Sequence, residues 1–210
     1  MVLSVMFVAG LVVSPYLANA YSRLCDSAAQ FASENTGVPV RTLMALTRVE
    51  TGRDNDPWPW TINVSGKGYW LNDQLQAQSL AQKTVQSGQK SFDVGCFQIN
   101  YRWHSRYFQS LEQMFEPEAN ALYAARFLKS LQSELGTWPK AIAAFHSRTP
   151  ELGHRYLRRF NQISASLKQH EVNADQANQV AETTKSKGAS LLHLVDTTQP
   201  AHLNSLWNSR

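Results

Sequence analysis

Apolar residues along this 210-residue chain recur at helical steps, and few segments alternate with period two. From Asp26 to Asn35 the pattern predicts a helix with Ala28, Ala29, Phe31 and Ala32 on its apolar side, ended by Gly37. Pro39 suits the first turn of a second helix, in which Val40, Leu43, Met44 and Thr47 recur and Leu46 widens the stripe. Gly52 is expected to stop that helix in the left-handed conformation that glycine accepts without strain. Residues 54–68 read as loop. Asn72 is expected to cap a polar helix through Val85, with Ala77, Leu80, Ala81 and Val85 inward and Gly88 as its stop. Residues 91–100 are compact and mixed. Pro117 opens a helix with Ala121, Leu122, Ala125, Leu128, Leu131 and Leu135 on one side, closed by Gly136. Pro139 begins a short helix through Phe145. Thr149, Pro150 and Glu151 cap a last one carrying Leu152, Tyr156, Phe160, Ile163 and Leu167. The expected fold is all-α, mainly helical, with one domain over residues 21–168.

Residues 169–210 are rich in Gln, Asn, Thr and Lys, and such a composition predicts a flexible polar tail. The apolar knot from Leu191 to Val195 and Trp207 leave a short partner-binding helix as the alternative.

One polar residue breaks the pattern of the second helix. Glu50 follows Thr47 and Leu46 at helical steps, so it shares their apolar side. It also falls in the last turn, where the negative end of the helix dipole disfavours a carboxylate. Apolar neighbours and that dipole both raise a carboxyl pKa. A proton-holding Glu is what acid catalysis at a leaving oxygen needs. The plain alternative is a solvated Glu at a helix end.

Bulk composition narrows the picture only slightly. At 43% hydrophobic and 17% charged the chain is ordinary for a globular protein, and its length can bury a core. A net charge of +4 suits an anionic partner such as a wall polymer, or serves solubility alone. No Lys/Arg stripe appears, which opposes nucleic-acid binding.

Residues 1–20 resemble a signal peptide. Val2 to Val13 is almost wholly apolar, Pro15 breaks it, and Ala18-Asn19-Ala20 is a small-x-small cleavage site. No Lys or Arg precedes the run, and an uncleaved anchor is the alternative. Export to the periplasm changes how the cysteines read. Cys25 and Cys96 are expected to form a disulfide in an oxidising compartment. The six histidines are scattered without ligand spacing, so neither a metal nor a cofactor is expected.

Four stretches could carry chemistry: Glu50-Thr51-Gly52, Pro57-Trp58-Pro59-Trp60-Thr61, Asp93 to Asn100, and Ala143 to Ser147. Trp faces stack on the apolar faces of sugar rings, and Gln and Asn amides bond hydroxyl and N-acetyl groups. Singly each has a structural alternative, since Trp residues usually fill cores.

Together, in this order and spacing, the stretches resemble the lysozyme-like lytic transglycosylases, the soluble-lytic-transglycosylase domain related to goose-type lysozyme. Glu50-Thr51 stands where that family has a catalytic Glu followed by Ser. Gly95-Cys96-Phe97-Gln98-Ile99-Asn100 matches its Gly-Leu-Met-Gln-Ile stretch, and Asn120 to Leu128 its Asn-Ala helix. Ala143-Ala144-Phe145-His146 matches Ala-x-Ala-Tyr-Asn. The resemblance spans roughly residues 25–160. Phe145 replaces the usual Tyr, so a hydroxyl that would face Glu50 or substrate is absent there, and His146 replaces Asn.

The resemblance implies a lysozyme-like fold with Glu50 as the catalytic acid and base. It implies Gln98, Asn100, Phe97, Phe145, His146, Trp60 and Ser65 as substrate-binding residues. The implied reaction cleaves the β-1,4 bond between N-acetylmuramic acid (MurNAc) and N-acetylglucosamine (GlcNAc) in peptidoglycan, without water. The product is a 1,6-anhydro ring. Asp54, Asp56 and Asp93 are candidates for a second carboxylate, though each reads as a turn residue. A muramidase hydrolysing the same bond and a non-catalytic peptidoglycan-binding module are the alternatives. The implied partners are glycan strands and a secretion, pilus or flagellar assembly, with the protein a monomer.

Overall fold

The computed structural model describes residues 15–52 and 56–195. The apolar run Val2–Val13, Asp54 and Trp207 lie outside the described residues. Among the described residues the fold is mainly α, with eight α-helices and a small sheet, and this mainly helical class is the one expected from the sequence. None of the described helices is long and apolar enough to cross a membrane. The chain divides into two units, Met1–Leu167 and Lys168–Arg210.

In the first unit, α1 (Pro15–Thr36) packs on α2 (Val40–Thr51) and on α6 (Pro117–Leu135). The reason is the apolar spacing already visible in the chain. Cys25, Ala28, Ala29 and Ala32 of α1, Leu43 and Leu46 of α2, and Leu128 and Leu131 of α6 are all buried. Burying each such Leu contributes about 1.5–3 kcal/mol. Asp26 and Arg48 fasten α1 to α2 by a two-point ion pair, Nη1 to Oδ1 at 2.7 Å and Nη2 to Oδ2 at 3.0 Å. The Cys25–Cys96 disulfide forms, with Cα atoms 5.6 Å apart, and joins α1 to the segment preceding Gln98.

Two readings of α2 and its exit are corrected. Gly52 does cap the helix, but at φ −53° and ψ 118° rather than in the left-handed conformation. A glycine is needed there for space, because a Cβ would run into the Arg48 carbonyl oxygen. The expected loop 54–68 contains half of a hairpin, β1 (Thr61–Val64) and β2 (Lys67–Trp70). Ser65 and Gly66 form its turn at φ 52° and 85°, positive at both central positions as two-residue hairpin turns require. Asn63 Oδ1 accepts from Gly66 N at 2.9 Å. With β3 (Phe92–Val94) and β4 (Ile99–Asn100) the hairpin makes an antiparallel sheet in the order β2-β1-β3-β4. Strands this short, with β1 buried at Thr61 and Ile62 in succession, leave no alternation to read.

The other expected helices are present. α3 (Gln74–Gln86) is capped by Asp73, whose side chain accepts from Gln76 N at 2.8 Å, one residue beyond the expected Asn72. Between β4 and α6 lie the short helices α4 (Tyr101–His104) and α5 (Leu111–Phe115), neither expected from the sequence. α6 ends at Gly136 in the left-handed conformation, φ 83°, and α7 (Trp138–His146) follows. α8 runs from Pro150 to Val195, so residues 169–195 are helical where a flexible tail was expected. Their Ala, Gln, Glu and Lys favour a helix, and no Pro interrupts them.

Candidate active site

Glu50 is the penultimate residue of α2 and is partly buried. Burial raises its pKa from the ordinary 4.5 to about 7; the nearby Asp93 carboxylate adds to the rise, while a hydrogen bond from Tyr156 and the charge of Arg159 oppose it. Tyr156, on α8 and itself buried, donates its hydroxyl to Glu50 Oε1 at 2.6 Å. Burial and the Glu50 carboxylate hold that phenol well above its usual range. The result is a carboxyl that changes charge near neutrality, oriented by one fixed hydrogen bond.

Glu50, Asn63 and His146 are common to two adjoining lobes of one cleft. The first lobe, about 340 Å³, is lined further by Asp93, Gln98, Ile99, Asn100, Trp103, His104, Phe127 and Phe145. The second, about 350 Å³, is lined by Val49, Leu152, Arg155, Tyr156 and Arg159. A carboxyl shared by two lobes can reach a bond that joins a unit in one to a unit in the other.

The first lobe combines fixed polar groups with aromatic surface. Gln98 holds φ at 47°, an unusual conformation for a residue with a Cβ. Its Nε2 donates to Gly95 O at 2.9 Å and Thr61 O at 3.1 Å. With both donors used, Gln98 presents an acceptor. Asn100 Nδ2 donates to Asp93 Oδ1 at 2.8 Å, and its buried Oδ1 has no partner. Such an acceptor suits an amide N–H of a ligand. Burial raises the Asp93 pKa, and the Asn100 bond opposes the rise. Opposite lie His104, Phe127 and Phe145, in ring contact at 5.0 and 5.7 Å. Trp103 is 61% exposed, a large apolar face open to solvent at the cleft. His146 stacks on Tyr156 with centroids 4.8 Å apart and planes 3° off parallel.

One side chain behind the cleft sets its loop. Asn120 at the start of α6 is fully buried. Its Oδ1 accepts from Phe97 N at 2.9 Å, and its Nδ2 donates to Met114 O at 2.9 Å and Val94 O at 3.1 Å. The turn that carries Gln98 is thereby pinned.

Of the residues expected to bind substrate, Gln98, Asn100, Phe145 and His146 line the cleft with Glu50. Three do not. Phe97 is fully buried in the core, because the turn at Gly95 directs it inward beneath Gln98. Trp60 is buried and meets Tyr21 edge-on at 6.2 Å. Trp58 likewise is core, donating Nε1 to Leu71 O at 2.7 Å, so the Pro-Trp-Pro-Trp stretch clasps the end of α2 instead of stacking on sugar. Ser65 is at the hairpin tip, its Oγ accepting from Gln89 Nε2 at 2.8 Å. Phe145 has no hydroxyl to offer, and the hydroxyl that reaches Glu50 is that of Tyr156, whose spacing in the last helix reads as core. Asp56 accepts from Ser22 Oγ at 3.3 Å and lines neither lobe.

Residues 75–165 match the family model described as Transglycosylase SLT domain. The matched segment holds Asp93, Gln98, Asn100, Phe145, His146 and Tyr156, and Glu50 precedes it. Neither a curated protein nor a solved structure matches the chain. The match carries peptidoglycan transglycosylase-type activity in general, acting on cell-wall peptidoglycan. Over residues 75–165 the chain is similar to the transglycosylase SLT domain.

Proposed function

We propose that the protein is a peptidoglycan lytic transglycosylase with Glu50 as its single acid and base. The observation that carries this reading is one carboxyl of pKa about 7, bonded by Tyr156 and common to both lobes of the cleft. In its neutral form Glu50 donates a proton to the oxygen of the β-1,4 bond between MurNAc and GlcNAc. The C1–O bond breaks, and the carbonyl of the substrate's own N-acetyl group stabilises the positive charge at C1. Glu50, now a carboxylate, takes the proton of the C6 hydroxyl as its oxygen closes on C1. The products are a 1,6-anhydroMurNAc end and a free GlcNAc 4-hydroxyl. The proton that Glu50 lends is returned, and no water is consumed. A pKa near neutrality suits a group that must both give and take a proton.

Around that step, the Gln98 and Asn100 acceptors suit hydroxyl and N-acetyl N–H groups. Trp103, Phe127 and Phe145 offer apolar faces to sugar rings. The setting we propose is local wall remodelling in the periplasm, after export by residues 1–20, at a secretion, pilus or flagellar assembly.

A second reading, hydrolysis of the same bond, draws on Asp93, which lines the same lobe and acts electrostatically on Glu50. Retaining and inverting hydrolases generally use two carboxylates. Mass spectrometry of muropeptides released from purified wall separates the two. Anhydro ends support the transglycosylase; reducing ends with one added water sink it in favour of the hydrolase.

A further inference from the structure

The second lobe of the cleft has a charge pattern that proton transfer does not require. Arg155 and Arg159 lie one helical turn apart on α8, and both line this lobe beside Tyr156 and Leu152. Both are exposed, and among the described residues neither makes a salt bridge or hydrogen bond. Like charges at this helical spacing repel, so the arrangement does not serve the helix. Two guanidiniums away from the cleft pair two-point with carboxylates, Arg48 with Asp26 and Arg148 with Glu134. At the cleft the pair is left open toward the cavity. Two planar forks on one wall, with Glu50 the one acid among the residues lining that lobe and in salt bridge with neither, are a receptor for a carboxylate of the ligand.

We propose that Arg155 and Arg159 form a carboxylate-binding subsite that makes the enzyme selective for glycan strands by their acidic substituents. This rests on the peptidoglycan reading above. A strand of alternating MurNAc and GlcNAc carries its carboxylates on MurNAc alone, at the lactyl ether or along the peptide stem attached to it. An uncharged polymer of GlcNAc offers none. The subsite therefore sets which sugar enters the second lobe and so the register of the strand across Glu50.

The test compares three substrates: intact wall, wall stripped of stems by an amidase, and wall whose carboxylates are converted to neutral amides with carbodiimide and ammonia. Binding is read by cosedimentation in a Glu50→Gln background, and KM and kcat by release of muropeptides from the active chain. Arg155→Gln is the cleaner probe, since Arg159 also acts on Glu50; the double substitution Arg155→Gln/Arg159→Gln gives the full effect. Both side chains are exposed, and thermal melts verify that the variants fold. On intact wall the double variant is expected to weaken binding at least tenfold and to raise KM more than it lowers kcat. On amidated wall the parent loses the same factor and the variants lose nothing further. The amidase frees a lactyl carboxylate that is an amide wherever a stem is attached, so arginine dependence on stripped wall shows that the subsite accepts the lactyl carboxylate, and dependence lost there assigns the stem. Equal binding of intact and amidated wall by parent and variants overturns the subsite. Carboxylate-dependent binding with no anhydro product leaves the subsite standing and fails the transglycosylase reading. Normal anhydro product with no arginine effect does the reverse.

Discussion

The Tyr156 hydroxyl donates to Glu50 Oε1 at 2.6 Å, across 106 residues of sequence. This bond ties α8 to the end of α2 and favours the charged carboxylate. Burial outweighs it and leaves the pKa near 7. Tyr156→Phe removes the opposing bond, so the pKa rises further. The initial step requires neutral Glu50, and the alkaline limb of kcat/KM reports the loss of that form. In Tyr156→Phe the limb is expected at higher pH than in the parent. A pH–rate profile with an unmoved limb would show that the phenol does not act on Glu50 during catalysis.

Glu50→Gln tests both chemistry and linkage. The amide keeps the shape but cannot shuttle a proton, and the expected loss is roughly 10²-fold or more in rate. The stability effect has a defined sign. A pKa raised from 4.5 to about 7 means that the folded state binds the proton more tightly than the unfolded chain. Glu50 thus supports folding fully below the unfolded value, and this support is lost as pH rises through about 7. Relative to the parent, Glu50→Gln is expected to melt higher at pH 8 than it does at pH 5. Calorimetry showing the same difference at both values would contradict a raised pKa.

The helices were legible because each states its own boundary. α6 runs from Pro117 to a left-handed Gly136, with an apolar stripe between. Glu50 was legible for the same local reason, an acid on the apolar side of a last helical turn. What depends on distant partners was not legible. Phe97 and Gln98 are neighbours of similar promise in sequence, yet a positive φ at Gly95 and Gln98 buries one and turns the other to the cleft. Tyr156 has core spacing and is indeed buried, but its hydroxyl finds the one carboxylate that needs it. Arg155 and Arg159 look like solvated charges until α8 is set against α2. The sheet escaped because its strands are two to four residues long.

The disulfide closes a separation of 71 residues. In the chain-entropy account that restrains the unfolded state by about 4 kcal/mol. Cys25→Ala/Cys96→Ala is expected to lower the melting temperature relative to the oxidised parent, at a cost of about 2–5 kcal/mol. Alkylation of unreduced parent protein should label no thiol. Two labelled thiols, or an unchanged melt in the double variant, would count against a stabilising bridge.

Asn120 and Gly95 meet so closely that their substitutions should not add. Asn120→Ala strips partners from Phe97 N–H and from the Val94 and Met114 carbonyls, all at a buried site. Leaving buried groups unpaired costs about 1–3 kcal/mol each where water cannot reach. The turn that aims Gln98 should loosen at once, lowering activity together with stability. Gly95→Ala harms the same turn in two ways. Its φ of 79° disfavours any Cβ, and that Cβ would lie 2.7 Å from Asn120 Nδ2. Removing the Asn120 side chain removes the collision and leaves only the φ penalty. Gly95→Ala should therefore cost less in the Asn120→Ala background than in the parent, with a coupling of about 1 kcal/mol or more for residues in contact. Urea unfolding of the four proteins measures it. Strict additivity would mean that Asn120 moves aside freely and does not hold the cleft loop.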